Sequence, residues 1–166
     1  MSAIATHPRA AVLTVSDGVA AGTRKDDSGQ VIAELLLASG FDVPTRRVVA
    51  DEATDIERAL RELALDVRLI VTTGGTGFGP RDVTPEATRR VLEREAPGLV
   101  FLMLTSGMKA TPMAALSRGV AGSVGSTLIV NLPGSPGGAK ENLAALVPVL
   151  PHILNLLAGD TEHRTH

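Results

Sequence analysis

VTTGGTGFGPRDVTPEATRRV, residues 71–91, sets the terms on which the whole chain is read. It begins as the end of an apolar run and then places four glycines within the six positions 74–79. An Arg-Asp pair follows, and Thr84-Pro85 opens a helix, with Thr84 expected as N-cap and Pro85 at the first helical position. A run of glycines marks either a tight turn or a close approach of backbone to a ligand. The loop is neither a P-loop, since no Gly-Lys-Ser/Thr follows, nor a G-x-G-x-x-G fingerprint. Thr72, Thr73 and Thr76 favour the ligand reading, in which free N–H groups and hydroxyls cradle a phosphate ahead of a helix N-terminus.

Upstream of this stretch, VRLIVTT (67–73) is apolar at its centre, as a strand covered on both faces would be. Before it, DEATDIERALRELALD (51–66) repeats Ile56, Ala59, Leu60, Leu63 and Ala64 on one helical face, with Thr54 and Glu57 at capping-box spacing. AAVLTV (10–15) and VPTRRVVA (43–50) read as strands. Between them Ser28 is the expected cap of a helix carrying Val31, Ile32, Leu35 and Leu36, and Gly40 ends it. Downstream, PGLVFLMLTSG (97–107) reads as a buried helix and TPMAALSRG (111–119) as a short segment. STLIVNLPGSPGG (126–138) is a strand entering a turn, and the helix of 139–159 is bent or interrupted at Pro148 and Pro151. The tail 160–166 is expected to be loose.

Strands alternating with amphipathic helices predict an α/β fold, three-layer α/β/α, with a mostly parallel central sheet and helices on both faces. At 166 residues, with no linker or repeat, the chain is read as a single domain, 1–166. No apolar stretch is long enough for a membrane span or a signal peptide, and cysteine is absent, which fits a cytoplasmic protein. A net charge of −2 without a basic run gives no nucleic-acid footprint.

In such sheets ligands bind beyond the carboxyl ends of the strands. Four expected strands end in Ser16-Asp17-Gly18, Asp51, the loop Thr73-Gly74-Gly75-Thr76-Gly77, and Asn131 followed by Pro133-Gly134-Ser135. Two carboxylates, Asp51 and Asp82, stand just past strand ends, where a Mg²⁺–triphosphate complex needs oxygen donors. Asp51 is equally explained as an acid at a helix start. Arg81, Lys109 and Arg118 are candidates for neutralising phosphate. His7, His163 and His166 are terminal and His152 sits in an apolar helix, so no histidine chemistry is expected.

The segments TVSDG, VVADE, TTGGTGFGPRDVTPEAT, MKATPMAALSRGVAG and STLIVNLPGSPGG together resemble the MogA/MoaB family of molybdenum-cofactor biosynthesis proteins, from about residue 9 to 158. The resemblance implies a molybdopterin adenylyltransferase with ATP and molybdopterin as substrates and Mg²⁺ as cofactor. Asp51 and Asp82 match the family's two essential acidic positions. Gly74, Gly75, Thr76 and Gly77 match its nucleotide segment, and Ser117 and Asn131 match positions associated with molybdopterin. Gly107 stands where some relatives carry serine. A homotrimer or hexamer, and hand-over of product to the molybdenum-insertion protein, are also implied. The alternative is a carrier or scaffold that binds molybdopterin without catalysis.

Overall fold

The computed structural model describes residues 7–160. The tail beyond Asp160, with His163 and His166, and the first six residues lie outside them. The chain runs β1 (Arg9–Val15), α1 (Asp17–Ala20), α2 (Asp27–Ala38), β2 (Asp42–Val49), α3 (Ala53–Leu63), β3 (Leu69–Thr73) and α4 (Thr84–Val91). It continues through β4 (Arg94–Glu95), α5 (Pro97–Ala110), a 3₁₀ turn (Pro112–Leu116), β5 (Ala121–Val124), β6 (Thr127–Leu132), α6 (Pro136–Leu146) and α7 (Leu150–Leu157).

Among the described residues six strands form one sheet in the order β2-β1-β3-β6-β5-β4. β2, β1, β3 and β6 are mutually parallel, so their carboxyl ends meet at one edge, as expected. β5 is antiparallel to β6 and to the two-residue edge strand β4. Strand order reverses between β1 and β3, and at such a switch point the connecting helices depart to opposite faces and leave a crevice.

Alternation along the strands sorts the core into two layers. Ala10 and Val12 of β1, with Leu69, Val71 and Val130, face α2, α5, α6 and α7. Ala11, Leu13 and Val15, with Ile70 and Ile129, face α3 and α4. The expected α/β/α layering is the structure's own. In α3 the stripe Ile56, Ala59, Leu60 and Leu63 is buried, as its spacing requires.

Several local expectations are corrected. The sheet has six strands, not four, because β4 and β5 carry no hydrophobic pattern of their own. α2 is capped by Asp26, whose carboxylate accepts from Gly29 N–H at 3.0 Å, and not by Ser28. Thr14 decides this, since its hydroxyl donates to Asp26 at 2.9 Å from the neighbouring strand. The N-cap of α4 is Val83, and the Thr84 hydroxyl donates instead to the Gly74 carbonyl at 2.9 Å. No capping box forms at Thr54, for α3 begins from Glu52 without a side-chain cap. α5 is not a buried helix: only Met103 and Gly107 are buried, while Phe101 is 72% exposed. The C-terminal helix is interrupted where expected, between α6 and α7, and the turn after β6 is shorter than expected because α6 starts at Pro136.

Candidate functional site

The loop 74–82 is shaped first by the protein itself. Gly74 has φ +97° and Gly75 φ +68°, in the left-handed region where a side chain is strained. A Cβ on Gly74 would collide with the Val15 carbonyl oxygen at the end of β1, and one on Gly75 with the Thr84 hydroxyl. These two glycines therefore let the ends of β1, β3 and α4 close on one another. The hydroxyls of the loop are also partly spent: Thr73 donates to the Pro133 carbonyl at 2.8 Å, and Thr72 accepts from Asn131 at 2.9 Å. Of the three threonines offered for a phosphate, Thr73 and Thr76 line the crevice and Thr72 does not.

Beyond the strand ends lie two adjoining lobes. The first, of about 530 Å³, sits at the switch point, against Ser16, Asp51, Thr73 and Gly74. The second, of about 400 Å³, lies between the glycine loop, α5, the 3₁₀ turn and α6, and includes Thr76, Gly77, Ser117 and Pro133. Gly75, Asp82, Gly134 and Ser135 belong to both. The expected residues are thus brought together, with two exceptions, Asp17 and Asn131.

Asp17 works behind the site. Its carboxylate accepts from Asp51 N–H at 3.0 Å, and its own N–H donates to Asp51 Oδ2 at 2.8 Å, a reciprocal clasp between the ends of β1 and β2. Arg81 donates from Nε and Nη2 to Asp17, each at 3.1 Å, and from Nη1 to Glu52 at 2.9 Å. That guanidinium, with the Asp51 N–H, holds the Asp17 carboxyl below the usual range.

Asn131 is 1% exposed and turned into the interior. Its amide donates to Thr72 at 2.9 Å and Thr88 at 3.1 Å, and its Oδ1 accepts from Val120 N–H at 3.1 Å. Asn131→Leu is expected to lower stability by about 3–5 kcal/mol, because it strands the buried Val120 N–H and leaves the Thr72 and Thr88 hydroxyls without their donor. Urea denaturation checks this, and ligand affinity per folded molecule should be unchanged.

The expected cations are occupied too. Arg118 donates to the carbonyls of Gly77 at 2.7 Å and Asp82 at 2.9 Å and to the Glu86 carboxylate, and lies 5.6 Å from the centroid of the Phe78 ring. It braces the loop, and Arg81 braces the strand ends. Lys109 is exposed at the end of α5 and lines neither lobe. The cations at the switch-point lobe are Arg24 and Lys25, which sequence reasoning passed over. Their signal was present: they precede the acidic start of α2 by one to three residues, inside the loop that follows β1.

Asp51 and Asp82 each keep one oxygen uncommitted. Asp51 Oδ2 accepts from Asp17 N–H, and Asp82 Oδ2 accepts from Gly79 N–H at 2.8 Å, while the other oxygens have no hydrogen bond among the described residues. Burial pushes the Asp51 carboxyl above the ordinary aspartate range; the Asp17 N–H, donating to Asp51 Oδ2, opposes this, and the charges of Asp17 and Asp82 add to it. The midpoint of Asp51 should therefore fall when Asp82→Asn removes one like charge, a shift that a ¹³C-carboxyl NMR titration reads directly. No cluster of three or more His, Cys, Asp or Glu residues suited to a metal occurs among the described residues. Two carboxylates with free oxygens are a donor set that fits Mg²⁺ only in company with substrate phosphates.

Residues 11–152 match the family described as "Probable molybdopterin binding domain". The chain belongs to this molybdopterin-binding family. Among its relatives is the molybdopterin adenylyltransferase of Helicobacter pylori, 40% identical over 154 residues, which cover 90% of this chain and 87% of that one. The crystal structure of the molybdopterin biosynthesis enzyme MoaB from Thermus thermophilus superposes with a TM-score of 0.87 at 52% identity, covering 92% of this chain and 97% of that one. Other family members are longer. The chain spans 27% of the Drosophila melanogaster molybdenum cofactor synthesis protein cinnamon, at 42% identity over 93% of its own length. It spans 51% of a Chlorobaculum tepidum bifunctional protein for molybdenum cofactor biosynthesis, at 39% identity over 96%. No helix among the described residues is long and apolar enough to cross a membrane.

Proposed function

We propose that this chain is a molybdopterin adenylyltransferase, moving AMP from Mg-ATP to the terminal phosphate of molybdopterin. A phosphate oxygen of molybdopterin attacks the α-phosphorus of ATP and forms a new P–O bond. The bond from that phosphorus to the bridging oxygen breaks, and its electron pair leaves with pyrophosphate. The observation that carries the reading is the pair of carboxylates with free oxygens, Asp51 in the switch-point lobe and Asp82 on the wall that both lobes share.

In this reading the switch-point lobe takes the triphosphate, against Arg24, Lys25 and the glycine-loop backbone. The second lobe, with no cation in its lining, takes the pterin. Asp51 and Asp82 would hold Mg²⁺, which would supply neutralisation of phosphate oxygens. The protein itself positions the two phosphates and excludes water, which is most of what phosphoryl-type transfer asks. Purified protein incubated with molybdopterin and Mg-ATP should yield adenylated molybdopterin and pyrophosphate in equal amounts. Intact ATP beside bound molybdopterin would overturn the enzyme reading in favour of the carrier or scaffold.

We further propose that the chain acts in the cytoplasm as a homotrimer, with a hexamer as the alternative, and passes its product to the molybdenum-insertion protein. Phe101 and Met108, seven residues apart on α5, are exposed apolar side chains outside both lobes that support an interface there. Phe101→Glu is expected to convert the assembly to monomer, read by sedimentation velocity.

A further inference from the structure

The second lobe holds two polar side chains that the scheme above leaves unemployed. Asn142, on α6, is only 7% exposed, yet its amide makes no hydrogen bond to any described residue. A buried amide without a partner costs free energy, so most such groups are satisfied. Here the amide keeps access to the lobe that it lines. Glu141 lines the same lobe, half-buried, and its carboxylate likewise has no partner among the described residues. Across from them is Gly107 of α5. A Cβ at that position would stand 2.9 Å from Ala114 Cβ and 3.3 Å from Asn142 Oδ1. The bare glycine keeps the amide uncovered, and a serine there would put a hydroxyl against it.

We propose that Glu141 and Asn142 are the specificity-determining pair of this lobe and read the pyrimidinone edge of a pterin ring, an inference that rests on the molybdopterin reading above. Donor and acceptor patterns support it. A pterin presents two adjacent donors, the 2-amino group and N3–H, flanked by acceptors at O4 and N1. A carboxylate accepts from both donors side by side, and an amide completes the edge by donating to a flanking acceptor. Adenine presents one amino donor beside the N1 lone pair, so a carboxylate facing that edge meets repulsion. Met103, Leu104 and Met113 supply the apolar walls against which a flat ring packs. The two side chains discriminate differently. An amide adapts to a changed edge by turning over, whereas a carboxylate can only accept.

The test uses 6-hydroxymethylpterin and 6-hydroxymethyllumazine, which differ in bearing an amino or an oxo group at position 2. Their affinities for the wild-type protein, Glu141→Gln and Asn142→Leu are measured by ligand-observed NMR, and the KM for molybdopterin is measured in the adenylylation assay. Wild type should prefer the pterin by about tenfold or more, because an unmatched buried polar group discriminates strongly. Glu141→Gln, which can donate as well as accept, should bring the two within about twofold. Asn142→Leu should weaken both probes by a similar factor of about ten and raise the KM for molybdopterin, with the KM for ATP unmoved. If the wild-type protein adenylylates molybdopterin but the preference survives in Glu141→Gln, or affinity survives in Asn142→Leu, the inference falls and the proposed function stands. If the wild-type protein neither binds the pterin nor adenylylates molybdopterin, the proposed function fails and the inference goes with it.

Discussion

Asp82→Asn is expected to reduce adenylylation by about a thousandfold or more while leaving the protein folded. The substitution keeps the shape of the side chain, and its amide oxygen can still accept from the Gly79 N–H that Asp82 Oδ2 accepts at 2.8 Å. What disappears is the negative charge on the wall that the two lobes share. A factor of a thousand is about 4 kcal/mol of barrier, the scale on which a single electrostatic group acts at a phosphoryl-transfer site. The measurement is single-turnover formation of adenylated molybdopterin, with the urea midpoint as control. An unchanged rate would remove Asp82 from the chemistry; a lost urea transition would make the residue structural.

Gly74→Ala should have the largest effect on stability, about 4 kcal/mol or more. The left-handed backbone at φ +97° already disfavours a side chain, and the added methyl would be driven into the Val15 carbonyl. No rotamer relieves this, since the clash is between Cβ and backbone. Gly134→Ala is the useful contrast. There the new Cβ would meet its nearest neighbour, Gly74 Cα, at 3.4 Å, an ordinary contact. Thermal and urea unfolding should separate the two variants clearly, and similar midpoints would mean that the β1–β3 approach relaxes more easily than its geometry implies.

The contrast between these glycines shows how far the sequence could be read. Their number pointed rightly to a special loop, but the ligand they await is partly the chain itself: Val15, Thr84 and Pro133 occupy much of what Gly74, Gly75 and Thr73 offer. α3 and β3 were legible because their periodicities are strong and local. β4 and β5 were not, since a two-residue strand and the segment Ala121–Val124 carry no period to detect. Caps failed for a related reason. Asp26, Asp27 and Ser28 are all good N-cap residues, and Thr14 and Arg46, twelve and twenty positions away from Asp26, choose among them. The same holds for charge: nothing near Arg118 in sequence says that it will bind the carbonyls of Gly77 and Asp82. The carboxylates Asp51 and Asp82 were visible because strand ends announce themselves, whereas Asn142 lay hidden inside an apolar helix pattern.

Gly75, Asp82, Gly134 and Ser135 form a wall common to both lobes, so neither compartment is a separate vessel. A molecule settling on one side restrains the surface against which the other must dock, and the two occupancies become thermodynamically linked. Whatever factor a bound nucleotide imposes on the dissociation constant of the pterin, the pterin must impose on that of the nucleotide. Calorimetric titrations in either order should return that same factor, and its size would measure how stiff the partition is.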